Sequence, residues 1–546
     1  MEKAEILNRQ FSSVFTRECI ISIPYQPAVT PRMENITVLI AGVRKLLKNL
    51  DPTKACGPDE IHPKVLIEIA DEIAPVIAHL FQQSLNNAKI PKDWSLATIC
   101  PIYKKGDTAS PKNYRPVSLT SVLCKMLEHI VCSNIMKHLE EHSIITNRQH
   151  AFRKYHSCET QLCTIIDDWA KELDKGNQTD IFFLDFEKAF DTVPHELLKS
   201  KLHQYGITGK ILGWIDSFLS QRKQQVRVNG ECSDWSNVAS GVPQGTVLGP
   251  LLFSLYINDI INDVDSEIRL FADDCVCYRT IKNTEDCRKL QEDINKLGDW
   301  ARNWGMRFQP SKCSTMQLTR NRSRKINNHY SLEDVTLDNT DCTRYLGVTI
   351  SNDLKWNSHI NKICTKGNQI LGLLRRNLTN CSQVAKEMAY KGLVRPILEY
   401  ASTAWDPYHE TLQKEVEQVQ RRAARFVTSN YNYETGSMTN IMNSLNWKTL
   451  QQRRIENRLV LLYKGLKGKA KIPINDLQGT NARGRYQRDM TFNVPYARTD
   501  IYKNSFIPRT IRDWNKLPQT TIQKSENAVD EVKKFTELIR SENTHP

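Results

Sequence analysis

In the stretch RLFADDCVCY, residues 269–278, two adjacent aspartates, Asp273 and Asp274, stand between short apolar runs. Side by side, like charges repel, so the pair calls for open water or a compensating cation. Taken alone, four such letters fit a solvated hairpin turn, where Asp is common. A third carboxylate adds to the case: Asp185, in FFLDFEKAFD, also closes an apolar run where the chain turns polar. Three oxygen donors arriving from a strand end and a hairpin suit a hard cation such as Mg2+, which keeps part of its water and also binds phosphates. In a two-metal arrangement, one ion activates an attacking hydroxyl while the other steadies the leaving oxygen. Asp191, further along the same segment, reads as the start of the following turn.

Between these acids lies SGVPQGTVLGPLLF, with Gly241, Gly245 and Gly249 around Pro243 and Gln244. Glycine permits close backbone approach to a ligand, and the apolar tail LLFSLYI anchors a helix. Upstream, PIYKKGD and NYRPVSL carry Lys104, Lys105 and Arg115, donors able to grip a triphosphate. Isolated basic residues are more often solvated surface, so these three matter only in company.

The elements that must position these groups follow from periodicity. VLIEIADEIAPVIAHLFQQSL, residues 65–85, has helical spacing with Pro75 as a kink, and a helix-rich stretch runs from Ser118 to Leu173. ATICPIY and IFFLDF are strand-like in length, and QQVRVNG pairs with WSNVASGVPQG. LGPLLFSLYINDI reads as a helix, followed by the FADD hairpin and the amphipathic helix DCRKLQEDINKLGDWARNW. That order predicts an α+β fold, helices interleaved with a small antiparallel sheet.

Composition bounds the rest. The 546 residues hold 75 Lys and Arg against 61 Asp and Glu, a net charge of +14, which suits a polyanionic partner. The excess is concentrated late, with 27 basic and 17 acidic residues after position 380. Fifteen cysteines without paired spacing argue against a disulfide framework or zinc knuckle and fit reduced thiols inside a cell. No apolar run approaches the ~20 residues of a membrane span, so a soluble protein is expected.

The ordered set of motifs is more specific than any one of them. PIYKKGD with NYRPVSLTSVLCKMLE, QHAFRKYHSC, FFLDFEKAFDTVPHELL, SGVPQGTVLGPLLFSLYINDI, RLFADDCVCY, NWGMRFQPSKC and YLGVTI follow one another as in reverse transcriptases of non-LTR, LINE-type retrotransposons. The chain most resembles the jockey-like group, and the resemblance covers nearly all of it. It implies a right-hand polymerase: an N-terminal extension over 1–50, fingers over 51–180, palm over 181–352 within a catalytic core of about 85–352, thumb over 353–430, and a helical basic region over 431–546.

Residue by residue, the resemblance makes Asp185, Asp273 and Asp274 catalytic ligands of two Mg2+ ions, with Mn2+ as a substitute. Phe190 matches the steric gate against a ribose 2′-hydroxyl, and Gln244 lines the nucleotide pocket. Arg115 and Lys104 or Lys105 meet the triphosphate, Lys312 stands near the pyrophosphate leaving group, and Tyr345, Leu346 and Gly347 form the primer grip. The implied partners are an RNA template, a DNA primer or target and dNTPs, with no membrane, in a ribonucleoprotein of nucleus and cytoplasm; no oligomeric state is implied. About fifty residues precede the fingers motif, so no endonuclease domain is expected in this chain, and neither a ribonuclease H pattern nor a terminal knuckle is found. The rival reading is a catalytically idle remnant or a co-opted RNA-binding protein; a group II intron maturase fits the STAWDP region poorly. Residues 451–510, with 13 basic and 4 acidic residues among Tyr463, Tyr486, Tyr496 and Tyr502, read as a nucleic-acid arm.

Overall fold

Strands β1 (Leu96–Tyr103), β2 (Tyr114–Leu119), β3 (Gln178–Asp185), β4 (Lys223–Val228), β5 (Glu231–Cys232), β6 (Ser236–Asn237), β7 (Glu267–Phe271), β8 (Asp274–Ile281) and β9 (Ser314–Leu318) build two sheets in the computed structural model. Residues 1–16, 30–474, 477, 479, 491–526 and 530–542 are described. The chain packs as two units, the first of residues 1–152, 184–265 and 293–312, the second of 153–183, 266–292 and 313–546.

In the first unit, β1 pairs antiparallel with β2, from Thr98 opposite Leu119 to Tyr103 opposite Tyr114. It also pairs parallel with β4, from Leu96 opposite Lys223 to Ile99 opposite Val226. This parallel pair departs from the antiparallel sheet expected; the long connection through helix Val122–Glu141 supplies the crossover that parallel strands need. The strand expected over WSNVASGVPQG is reduced to β6, which pairs Ser236 with Gln224 of β4. Beyond it, Gly241 and Gly245 take φ of 87° and 96°, which breaks an extended run and leaves a loop. Helix Glu2–Ser12 sets Leu7 and Phe11 against Ala97, Ile99 and Val226. The helical break near Pro75 falls at Ile69 instead, between Pro63–Glu68 and Ala70–Asn86, with Pro75 inside the second helix.

In the second unit the sheet order is β7-β8-β3-β9. β3 is buried from Gln178 through Leu184 and becomes partly exposed only at Asp185, as a central strand rich in Ile, Phe and Leu should be. Helix Cys158–Lys175 opens on a capping box between Ser157 and Thr160 and closes on Gly176 at φ 84°. Its Ile166, Trp169 and Leu173 join Ile181, Phe183, Val276 and Met316 in one core. That core runs on through helices Asn357–Asn377, Glu410–Thr428, Leu450–Leu466 and Phe506–Trp514.

Among the described residues, part of the expected arm at 451–510 belongs to this core. Tyr463 is fully buried and stacks on Phe535 with ring centroids 4.2 Å apart. Tyr502 is buried, Tyr496 is exposed, and Tyr486 lies outside the described residues. Arg454 and Arg458 point inward onto Asp406 at 2.7 and 3.0 Å. Removing residues 451–546 would remove Leu459, Leu462, Tyr463, Ile511 and Trp514 from the core, so the segment is not a detachable tail. Among the described residues the cysteines are free thiols, and no helix is long and apolar enough to cross a membrane.

Candidate nucleotide and metal site

The paired aspartates divide between two roles in the hairpin. Asp274 is the first residue of β8, opposite Phe271, so the turn is Ala272 and Asp273 alone. Ala272 takes φ 53°, a left-handed conformation that glycine usually supplies at the first centre of a two-residue turn. Holding an alanine there costs on the order of 1 kcal/mol or more and is tolerated where the surrounding strands impose it. Both carboxylates stand exposed at the sheet end, above the buried Cys275, Val276 and Cys277.

Asp185 closes β3, the neighbour of β8 in sheet order. Beyond it the chain is gripped by a second segment. Gln309 N donates to Asp185 O at 2.8 Å, Glu187 N donates to Arg307 O at 2.8 Å, and the rings of Phe186 and Phe308 stack at 4.3 Å. This pairing brings Lys312 round so that its Nζ lies 3.3 Å from Asp185 Oδ1. Both side chains remain about half exposed, at 52 and 43%, so solvent screens the pair.

The glycine-rich loop and the segment after β3 build a pocket in the first unit. It is open to solvent and is lined among others by Phe190, Asp191, Ser118, Gly241, Val242 and Gln244. A Cβ at Gly241 would sit 2.6 Å from Phe190 O, and one at Gly245 would sit 2.8 Å from Ser118 O. The two glycines thus allow the loop to lie directly on both neighbouring segments. Phe190 is set by stacking on Phe253, with centroids 4.6 Å apart and planes 22° off parallel. Gln244 accepts from Arg115 Nε at 3.0 Å and donates from Nε2 to Asp191 Oδ1 at 3.0 Å.

Four cations gather about this pocket. Burial lowers the Lys104 ammonium below its ordinary pKa, and the charges of Arg115, Lys188 and Lys312 push the same way, against Asp191. Mutual repulsion of this kind is relieved by a polyanion. Lys105 is exposed on the adjoining loop, and no contact among the described residues ties it to the group.

Three participants were not singled out from the sequence. Asp191, expected to begin a turn, lies inside the short helix Ala189–Thr192 and lines the pocket. Burial raises its carboxyl above the ordinary range, opposed by the Gln244 hydrogen bond and then by Lys188, Lys104 and Arg115. Lys188 stands just before that helix at φ 49°. Glu128, fully buried on helix Val122–Glu141, accepts from Val247 N at 2.7 Å and Leu248 N at 3.0 Å and so ties down the loop that carries Gln244. An acid among the apolar residues of SVLCKMLEHI was the available signal.

Tyr345, Leu346 and Gly347 lie in the second unit. Strands β10 (Ser331–Leu332), β11 (Val335–Thr336), β12 (Cys342–Tyr345) and β13 (Val348–Ser351) follow β9, and β12 and β13 form a hairpin that pairs Tyr345 with Val348. Leu346 and Gly347, at φ 44° and 83°, form a tight turn with both centres left-handed. Leu346 O accepts from Tyr400 Oη at 3.1 Å, and a Cβ at Gly347 would strike the same ring at 2.8 Å. Tyr345 is buried against Phe183 and accepts from Gln161 Nε2 at 3.1 Å, so the turn and not its aromatic ring faces outward.

Among the described residues no group of three or more His, Cys, Asp and Glu is gathered closely enough to hold a metal ion. Asp185, Asp273 and Asp274 each offer carboxylate oxygens at least partly open to solvent, the donor type a hard cation takes, and Asp185 already draws a cation in Lys312.

The chain matches the family model described as reverse transcriptase (RNA-dependent DNA polymerase) over residues 102–350. The match takes in most of the pocket lining, the hairpin and most of both sheets. The chain is 28% identical over 446 residues to the probable RNA-directed DNA polymerase from transposon BS of Drosophila melanogaster, covering 79% of this chain and 48% of that one. It is also 28% identical to the probable enzyme of transposon X-element, covering 71 and 43%, and 29% identical to that of mobile element jockey, covering 66 and 41%, both from the same fly. The chain spans about half the length of the curated relatives it matches.

Proposed function

We propose that this chain is an RNA-directed DNA polymerase, extending a DNA primer 3′-hydroxyl with dNTPs along an RNA template. The observation that carries this reading is the gathering of Lys104, Arg115, Lys188 and Lys312 about a pocket lined by Phe190 and Gln244. A triphosphate answers the mutual repulsion of those cations, with Arg115 and Lys104 on its oxygens and Lys312 near the leaving pyrophosphate. Phe190, held by Phe253, excludes a ribose 2′-hydroxyl by bulk, and Gln244 meets the nucleotide beside it. The turn Leu346–Gly347, kept rigid by Tyr400, supports the primer end.

Asp185, Asp273 and Asp274 are the proposed ligands of two Mg2+ ions, for which Mn2+ can substitute. Bound there, such ions would activate the primer hydroxyl and neutralise charge on the triphosphate. The functional parts are fingers at 51–180, palm at 181–352, thumb at 353–430 and a C-terminal region at 431–546.

Primer extension on an RNA template with Mg2+ and dNTPs tests the reading. Asp273→Asn keeps size but removes a charged ligand, so extension should fall by about a thousandfold or more while RNA binding stays near wild type. Full activity in that variant would refute the assignment. Phe190→Val should raise ribonucleotide use relative to deoxynucleotide use by roughly tenfold to a hundredfold. An unchanged ratio would place the gate elsewhere.

A further inference from the structure

The side-chain amide of Gln244 sits between two groups that leave it one orientation. Arg115 Nε can only donate, and it donates to Oε1 at 3.0 Å. The Asp191 carboxylate can only accept, and it takes the Nε2 hydrogen at 3.0 Å. Turned over, the amide would set donor against donor and oxygen against oxygen. The backbone around them is held as well: Ser118 N donates to Gln244 O at 2.9 Å, Val242 N to Phe190 O at 2.7 Å, and Ser240 Oγ to Asp191 O at 2.8 Å.

We propose that Asp191 is a positioning residue for the incoming nucleotide, its carboxylate fixing the Gln244 amide and, through that amide, the guanidinium of Arg115. The inference rests on the polymerase reading of the pocket. Both nucleotide-facing groups are then set before the substrate arrives, which removes an ordering cost from binding. The charged groups facing Asp191 are Lys188 from its own segment and Lys104 and Arg115 from the β1–β2 segment. Burial outweighs them and keeps the carboxyl above the usual aspartate range. As pH falls through that raised value, the carboxyl gains a proton and can donate as well as accept, so it no longer selects the Nε2 side and Arg115 alone holds the orientation of Gln244.

The test compares full-length wild type, Asp191→Ala, Asp191→Asn and Gln244→Ala. Steady-state extension gives KM and kcat for a dNTP across pH, and equilibrium titration with a fluorescent dNTP measures binding without primer. Asp191→Ala should raise KM roughly tenfold to a hundredfold, the worth of a hydrogen bond to a charged group, with kcat within about threefold. Asp191→Asn, which like the protonated acid can both donate and accept, should sit at the KM that wild type reaches in acid, below that of Asp191→Ala, and show no acid-side rise. Asp191→Ala and Gln244→Ala should combine to less than the sum of their separate effects. Wild-type KM and pH profile in Asp191→Ala would overturn the proposal. Should that variant fail to fold, an acid-side rise persisting unchanged in Asp191→Asn would overturn it as well. Wild-type protein that binds dNTP without extending a primer would refute the polymerase reading, and loss of that binding in Asp191→Ala would still support the positioning role.

Discussion

Asp191 in the first unit, partly buried, and Asp406 in the second, buried, are both acids surrounded by basic residues, yet they are pushed in opposite directions. Asp406 meets Arg454, Arg458 and Arg509, whose charges outweigh burial and hold its carboxyl below the ordinary range. Asp191 has one direct amide partner, and burial prevails over its more distant cations. The arginines around Asp406 are consumed in the fold: Arg458 also reaches Thr510 and Asp513, and Arg454 is 1% exposed. Around Asp191 the cations stay at the surface, where an incoming anion can meet them. A basic count in a sequence is therefore a poor guide to a binding surface, and the geometry of the acids decides which cations remain available.

The largest effect expected from this contrast is on stability. Asp406→Ala leaves two buried guanidinium groups, Arg454 and Arg458, and the partly buried Arg509 without their common acceptor and should cost about 3–5 kcal/mol, read as a lower midpoint in denaturant. Its lowered carboxyl adds stability at neutral pH that is lost as pH falls through the folded-state value, so wild type should weaken in acid by more than the variant does. A variant as stable as wild type would mean the cluster is not structural.

A smaller effect, on function alone, follows for the exposed cations. Arg115→Ala should raise the KM for dNTP by roughly tenfold while moving the unfolding midpoint by less than ~0.5 kcal/mol. A stability loss as large as that of Asp406→Ala would erase the distinction between the two regions. The smallest effect concerns the C-terminal region, where Lys469, Lys471 and Lys503 are exposed. Each that touches an RNA phosphate contributes ~0.7 to the slope of log affinity against log salt, so the triple Lys→Ala variant should flatten that slope by no more than ~2. A larger change would restore the region as a nucleic-acid arm.

Local chemistry carried much of the site. The strand ending at Asp185, the two-residue hairpin at Asp273 and the glycines around Gln244 are short-range features, read from alternation and turn residues within a few positions. Their order along the chain was enough to bring out the reverse transcriptase resemblance, because seven motifs constrain one another far more than any single one does. Lys104, Arg115 and Lys312 were legible as types in motifs, and the fold brings them within electrostatic reach of one another and of Lys188.

What sequence reading missed depends on long-range packing. The parallel pairing of β1 with β4 joins residues on either side of a long helical connection, and no local pattern specifies that register. Asp191 looked like a turn residue because its partner, Gln244, is remote in sequence. Glu128 had no evident purpose until Val247 and Leu248 presented their N–H groups to it. The basic C-terminal residues looked like an arm because composition counts charges and is blind to where they point. Periodicity and motif order are properties of neighbours along the chain, whereas the pairing of a buried charge is settled by whatever distant residue folding brings against it.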